Sequence, residues 1–334
     1  MNDRLAVLVT RAVYPETLAR LRAHFDVEAN EADEIMEAGE LARRLQGKAG
    51  ALTTPSERID AALLDQLPAL RVVANMAVGY NNIDVQACTA RAVLATNTPD
   101  VLTETTADFG FALMMATARR MAEAERYLRE GRWKKWRYDM FTGSDVHGAT
   151  LGVLGMGRIG QAIARRGALG FGMRVLYHNR SRLAPELEAP LGARYVDKAT
   201  LLREADHLVL VLPYAPDSHH AIGAAELALM KPGATLTNIA RGGIVDDAAL
   251  AAALAEGRLA AAGLDVFEGE PAVHPELLAR SNVVLTPHIA SASERTRRAM
   301  ADLAADNLIA ALSGRRPPSL LNPAVLGQRP ASSR

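Results

Sequence analysis

The sequence predicts an α/β protein of two doubly wound parallel-sheet domains, and three observations predict it. Short β-branched or aliphatic runs recur along the chain, each followed by an alanine- and leucine-rich segment with helical spacing, the alternation that builds parallel sheets. A chain of 334 residues exceeds what one hydrophobic core usually serves, at roughly 100 to 200 residues per domain. Near residue 155 a glycine-rich turn stands between an apolar run and a helical stretch, the setting of a strand, a turn and a helix in succession.

In chain order, the first third carries expected strands at Leu5 to Val9, Ala51 to Thr53, Val72 to Ala74 and Val93 to Thr96, with helices such as Pro15 to His24 and Asp60 to Gln66 between them. One long helix is expected from Thr103 to Glu130, with Thr103 as N-cap and Gly131 as its stop. After a polar loop from Trp133 to His147, six more strands are expected: Leu151 to Leu154, Arg174 to Tyr177, His207 to Leu212, Thr235 to Ile239, Ala262 to Asp265 and Val283 to Thr286. Ser293 to Leu312 reads as an amphipathic helix that returns to the first domain. The second domain, 102–289, is then an insertion into a first domain made of 1–101 plus 290–334.

Composition narrows the function classes. Basic and acidic side chains balance at 38 each, which gives no electrostatic reason to expect nucleic acid or an anionic membrane as partner. Cys88 is the single cysteine, so no intrachain disulfide and no cysteine-based metal cluster can form, and no metal site is assigned. No run approaches the roughly 18 apolar residues of a membrane span, and the opening MNDRLAVLVT is too short in its apolar part for a secretion signal. A soluble, cytoplasmic protein acting on a small molecule is expected.

Gly155-Met-Gly157-Arg-Ile-Gly160 follows the apolar run Leu151 to Leu154 and opens the helical stretch Gln161 to Leu169. Such glycines permit a tight turn and close main-chain approach to a pyrophosphate, which free N–H groups at the helix start stabilise. Enzymes that use NAD usually place an acid about 20 residues later to bind the ribose hydroxyls. Here that strand end reads His178-Asn179-Arg180-Ser181-Arg182 and holds no acid. Arg180, Ser181 and Arg182 are suited to a 2′-phosphate by charge-assisted hydrogen bonds, so NADP(H) is the expected cofactor, with NAD(H) possible and solvated loop arginines as the plainer alternative.

Three later segments carry polar groups where strands end: Asn238-Ile-Ala-Arg241, Leu264-Asp265 through Glu270-Pro271, and Pro287-His288 through Ser291. Ligands bind at the carboxyl ends of strands in open α/β sheets, so these converge on the expected cofactor crevice. Singly, Arg241 can be a structural ion-pair donor, Glu270 a loop acid and His288 a satisfied core histidine. The His219-His220 pair has no strand-end setting and no evident partner, and is given no role.

Across nearly its whole length the chain resembles the D-isomer-specific 2-hydroxyacid dehydrogenases. The stretches that carry the resemblance are MAVGYNNID at 76–84, TETTADFGFALMMATARR at 103–120, LGVLGMGRIGQAIARR at 151–166, NIARGGIVDD at 238–247, AAGLDVFEGEP at 261–271 and PHIASA at 287–292. VLTETTAD, DVHGATLG and YHNRSR are similar to the bacterial glyoxylate/hydroxypyruvate reductase B group, also called 2-ketogluconate reductases.

The resemblance implies a Rossmann dinucleotide-binding domain inserted into a flavodoxin-like substrate-binding domain. It implies reduction of a small 2-oxo acid such as glyoxylate, hydroxypyruvate or 2-ketogluconate. Arg241 then holds the carboxylate and keto oxygen, His288 gives a proton to the carbonyl oxygen, and Glu270 orients His288 and favours its protonated form. The main-chain N–H groups around Val78 and Gly79 meet the substrate carboxylate.

The resemblance also assigns to the cofactor Met156, Arg158 and Ile159 in the glycine turn, Leu212 and Pro213 on the adenosine or pyrophosphate side, and Thr106 from the long helix. Ile239 and Ala240 pass beneath the nicotinamide, and Arg241, His288 and Ala290 also meet the cofactor. Asp265 either touches the carboxamide or anchors a loop. Trp133, Trp136 and Tyr138 follow a helix that in relatives forms a dimer arm, so a homodimer is expected, with a packed loop as the alternative. A dinucleotide-sensing binding protein of corepressor type and an NAD-preferring D-2-hydroxyacid dehydrogenase are the rival readings.

Overall fold

The computed structural model describes residues 4–327, so residues 1–3 and 328–334, both in the expected first domain, lie outside the described residues. Two compact units are present, one formed by the chain up to Leu102 together with the chain from Ser293 onward, the other by Thr103–Ala292.

The first unit holds five parallel strands, β1 (Ala6–Val9), β2 (Asp26–Ala29), β3 (Gly50–Thr53), β4 (Val72–Asn75) and β5 (Leu94–Thr96). Their order, β2-β1-β3-β4-β5, is that of the flavodoxin-like doubly wound fold. The central strands are buried throughout, as both faces of a parallel sheet must be covered. Leu41, Leu45, Leu63 and Leu67 cover one face, and Leu18, Leu21, Leu308 and Ile309 the other. The last two belong to the helix Glu294–Leu312, which Ser293 caps through its side chain and which packs on β3, β4 and β5. Strand β2 escapes the sequence reading because it is a four-residue edge strand, Asp-Val-Glu-Ala, whose polar/apolar alternation is too short and too weakly apolar to stand out.

The second unit holds a seven-stranded parallel sheet: β6 (Thr150–Leu154), β7 (Arg174–His178), β8 (Arg194–Tyr195), β9 (His207–Leu210), β10 (Thr235–Asn238), β11 (Ala261–Leu264) and β12 (Val283–Leu285). The order β12-β11-β10-β9-β6-β7-β8 is the Rossmann arrangement with one added strand, and its direction reverses between β6 and β9. The sequence predicts six strands here; the seventh, β8, is a two-residue edge pair too short to read. Leu208, Leu236 and Leu254 belong to the core on one face, Phe111, Met114 and Ile163 to that on the other.

Two helices depart from expectation. The stretch expected to run unbroken from Thr103 to Glu130 is two helices, Thr103–Ala118 and Met121–Arg129. Arg120 between them is left-handed, at φ 53°, which costs a non-glycine residue roughly 1–2 kcal/mol. Its guanidinium pairs with Glu123 at 2.8 Å, which recovers only part of this. The returning chain also seals the break: Ser144 N–H donates to the Ala118 carbonyl at 2.9 Å. The helix after the glycine turn is α-helical over Arg158–Arg165 and widens to a π-helical turn over Arg166–Gly170.

A Cβ on Gly143 would lie 2.2 Å from the Ala118 carbonyl oxygen, so Gly143→Ala is expected to destabilise the fold by about 1–3 kcal/mol. Chemical denaturation followed by circular dichroism measures it; an unchanged midpoint would show that the closure at Ala118 has no energetic role.

Candidate functional site

The carboxyl ends of three adjacent strands carry the polar groups singled out in the sequence: Arg241 follows β10, Glu270 follows β11 and His288 follows β12. Two of them meet directly. His288 Nδ1 lies 2.8 Å from Glu270 Oε2. An ionised carboxylate only accepts, so Nδ1 carries the hydrogen, and Nε2 is the position that exchanges a proton. The His288 side chain is 40% exposed and its Nε2 bonds to no described residue.

Glu270 Oε1 also accepts the Phe267 N–H at 2.9 Å. Burial alone would raise the Glu270 carboxyl, but the hydrogen bonds from His288 and Phe267 and the charge of Arg241 outweigh it and hold the group below its ordinary value. Burial pulls the Arg241 guanidinium down, with the nearby Glu270 charge opposing. Arg241 Nη1 donates to the Ala240 carbonyl at 2.6 Å. Asn238 shapes this loop, accepting from Ala240 N–H at 3.0 Å and donating to the Arg241 carbonyl at 3.2 Å. The loop lies so close to its neighbour that a Cβ on Gly242 would stand 1.7 Å from the Phe267 carbonyl oxygen; only glycine fits there.

Asp265 organises the third segment. It is fully buried, and its carboxylate accepts from Thr286 Oγ1 at 2.7 Å and from the N–H groups of Ile289 and Ala290 at 2.8 Å each. Burial pushes its carboxyl up, and these three donors oppose that shift. The Asp265 carbonyl accepts the His288 N–H at 2.9 Å. His288 itself is left-handed, φ 53°, a cost of roughly 1–2 kcal/mol. The main-chain bond from His288 to the Asp265 carbonyl and the donors on either side to its carboxylate fix the segment in that conformation. Of the two roles open to Asp265 in the sequence, this geometry is that of a loop anchor.

The glycine turn lies where the sheet reverses direction. Gly155 has φ 104°, and a Cβ there would meet the Leu212 nitrogen at 2.5 Å, so the turn packs against the end of β9. A Cβ on Gly160 would strike the Gly155 carbonyl oxygen at 2.3 Å, whereas one on Gly157 would project into open space. That open side is where a pyrophosphate fits, beside the first turn of the helix that starts at exposed Arg158. Met156 and Ile159 turn their side chains to the core. Thr106 is buried and its hydroxyl has no hydrogen-bond partner, an orphan donor of the kind a bound cofactor satisfies. Ile239, Ala240 and Ala290 are buried, while Pro213 is exposed.

At the end of β7 Asn179 Oδ1 accepts the Met156 N–H at 2.6 Å, tying the expected ribose-recognition segment to the glycine turn. Arg180 and Ser181 are exposed. Arg182 is also exposed but is engaged in a two-pronged ion pair with buried Glu188, at 2.7 Å and 2.9 Å. The Tyr177 hydroxyl donates to the same carboxylate and accepts the Leu183 N–H at 2.9 Å. Arg182 and Tyr177 hold the Glu188 carboxyl down at about 2; burial and the Glu188 bond push the Tyr177 hydroxyl up to about 12. Nothing local in the sequence marks Glu188, which is one acid in the short helix Pro185–Glu188.

Val78 and Gly79 belong to the first unit. Their carbonyls accept from the side chains of Asn97 at 2.8 Å and Asn75 at 3.1 Å, and their N–H groups donate to no described residue. Trp133, Trp136 and Tyr138 are exposed, Tyr138 at 90%. His219 and His220, left without partners in the sequence reading, do have them: His220 Nε2 lies 2.8 Å from Glu268 Oε2, and His219 Nδ1 lies 3.2 Å from the Tyr214 hydroxyl. No helix among the described residues is long and apolar enough to cross a membrane.

Known proteins are similar to this chain in sequence and architecture. Residues 111–290 match the family model described as D-isomer specific 2-hydroxyacid dehydrogenase, NAD binding domain. A glyoxylate reductase of Thermococcus onnurineus (strain NA1) is 50% identical over 327 residues, covering 97% of each chain. One from Pyrococcus furiosus is 46% identical, covering 96% of each. Among solved structures, the NADPH-dependent glyoxylate/hydroxypyruvate reductase of Sinorhizobium meliloti in complex with NADP and malonate superposes with a TM-score of 0.86 at 37% identity, over 98% of this chain and 100% of that one.

The depressed Glu188 carboxyl sets an acid limit on the lock that holds Arg182. An acid whose value falls on folding stabilises the fold above its ordinary value, 4.5, and that contribution is lost as pH falls toward about 2. Stability measured by denaturation across this window is expected to fall in the wild type and to fall less in Glu188→Gln; parallel curves would remove Glu188 from the acid response.

Proposed function

Since the chain belongs to the D-isomer specific 2-hydroxyacid dehydrogenase family, whose members are oxidoreductases, we propose that it is an NADPH-preferring reductase of small 2-oxo acids. Glyoxylate, hydroxypyruvate and 2-ketogluconate are the substrates, and D-2-hydroxy acids the products. The observation that carries this reading is the His288–Glu270 pair at 2.8 Å, with Arg241 on the adjoining strand end.

The nicotinamide cofactor supplies the hydride when bound, and the residues that fit it are the open glycine turn, Thr106, Asn179, Arg180 and Ser181. His288 donates its Nε2 proton to the substrate carbonyl oxygen as that oxygen gains charge. Glu270, fixed on Nδ1, keeps the ring oriented and the hydrogen on Nδ1 in place. Arg241 offers a planar fork of donors to the substrate carboxylate, a geometry that lysine does not reproduce. With Arg182 committed to Glu188, Arg180 is the guanidinium that meets a 2′-phosphate. The active form is a homodimer, for which exposed Trp136 and Tyr138 supply apolar surface.

The first test follows NADPH and NADH absorbance with purified protein and a panel of 2-oxo acids. Faster turnover with NADPH is expected, and Arg180→Ala should lower kcat/KM for NADPH by roughly tenfold, a loss of about 1.4 kcal/mol, while sparing NADH. A wild type that turns over faster with NADH would overturn the cofactor assignment. His288→Ala should lower kcat by at least about 100-fold and leave cofactor affinity, measured by fluorescence titration, nearly unchanged. Equal loss of affinity would make His288 a structural residue.

A further inference from the structure

Beyond β9, the segment that carries His219 and His220 faces the turn that carries Glu268. His220 Nε2 lies 2.8 Å from Glu268 Oε2 and His219 Nε2 lies 3.9 Å from Glu268 Oε1. The imidazoles stack, centroids 3.9 Å apart and planes 22° from parallel, which sets both Nε2 atoms beside the same carboxylate; their in-plane lone pairs run nearly parallel, so one ring turns about its side-chain bonds to share an ion. One ligand-type atom from each of the three residues falls within 4.8 Å of the others. We propose that His219, His220 and Glu268 form a binding site for a divalent transition-metal ion of the zinc type, completed by water.

Distances suit such an ion. Metal–nitrogen and metal–oxygen bonds of about 2.0–2.2 Å in a tetrahedral site set ligand atoms roughly 3.3 Å apart, between the two separations observed. The second layer of groups suits it too. The Nδ1 atom of His219 faces the Tyr214 hydroxyl at 3.2 Å, and that of His220 faces the Asp246 carboxylate at 3.9 Å. Both neighbours can accept a hydrogen from Nδ1, which leaves the Nε2 lone pairs for the metal. Asp246 is held in place because it caps the helix Asp247–Ala255 by accepting the Ala249 N–H at 3.0 Å. Main-chain bonds steady two of the ligands: His220 N–H donates to the Gly243 carbonyl at 2.7 Å, and Glu268 N–H to Asp247 at 3.2 Å.

The donor set of two imidazoles and one carboxylate selects Zn²⁺, Co²⁺ or Ni²⁺ over Mg²⁺ and Ca²⁺, which favour all-oxygen sites. The ligand side chains are 37–43% exposed, so an ion enters from solvent and keeps water in its open positions. The ion takes the place of the proton shared between His220 and Glu268, so binding releases a proton when that pair is protonated. It ties the segment after β9 to the turn that leads to Glu270, and it uses neither Glu270 nor His288.

The experiment titrates Co²⁺ into untagged, chelator-treated full-length protein and follows visible absorbance, with Zn²⁺ and Mg²⁺ as competitors. Saturable binding of a single ion is expected, displaced by Zn²⁺ and not by Mg²⁺. His219→Ala and Glu268→Gln should each weaken binding by at least about tenfold. Zn²⁺ should raise the thermal midpoint of the wild type and not that of the double variant. Absence of saturable binding overturns the proposal. So does binding that survives both substitutions and disappears in His288→Ala, which would place the ion on the His288–Glu270 pair. Circular dichroism of the metal-free variants checks that these surface substitutions leave the fold intact.

Discussion

The candidate site depends on one buried carboxylate. Asp265 ends β11 and accepts three hydrogen bonds from the segment that follows β12, so two neighbouring strand ends are joined by charge-assisted bonds inside the protein. A charge in that position is costly unless every acceptor is used, and here Thr286, Ile289 and Ala290 use them. The same bonds hold His288 in a left-handed conformation it would otherwise leave, which aims its ring at Glu270. The His288–Glu270 geometry therefore rests on a residue whose carboxylate is itself sealed from solvent.

Main-chain closeness does the corresponding work elsewhere. Gly242 lets the Arg241 loop lie against Phe267, and Gly155 lets the glycine turn lie against Leu212. In each case two loops after different strands touch without an intervening side chain. Parallel strands make this possible, because successive crossovers deliver all their carboxyl ends to one edge of the sheet. Charge finishes what shape begins: the partners of Glu270 outweigh its burial and keep it ionised beside His288, while Glu188 pairs with Arg182, which stays at the surface after β7.

Much of the architecture was legible because burial on both faces leaves a strong apolar signature. The central strands β3, β4, β6 and β9 appear in the sequence as unbroken buried runs, and the observed bounds differ from those read by a residue or two at most. Edge strands β2 and β8 carry no such signature, being short and half solvated. The break at Arg119–Arg120 was hidden for another reason. No glycine or proline marks it, and its cause is the chain at Gly143–Ser144 closing on Ala118, more than 20 residues away.

The sequence by itself determined the alternation of strands and helices, the glycine turn, and the presence of Arg241, Glu270 and His288 at strand ends, since each of these depends on local pattern or on residue type. Tertiary structure alone decided which polar groups are spent on one another. Arg182 reads as a free cation until Glu188 and Tyr177 are seen to hold it, and His219 and His220 read as idle until Glu268 and Asp246 come beside them. A side chain's chemistry is written in the sequence, but its availability is set by neighbours that arrive from distant strands, and hydrogen-bond geometry within a few ångströms chooses among them.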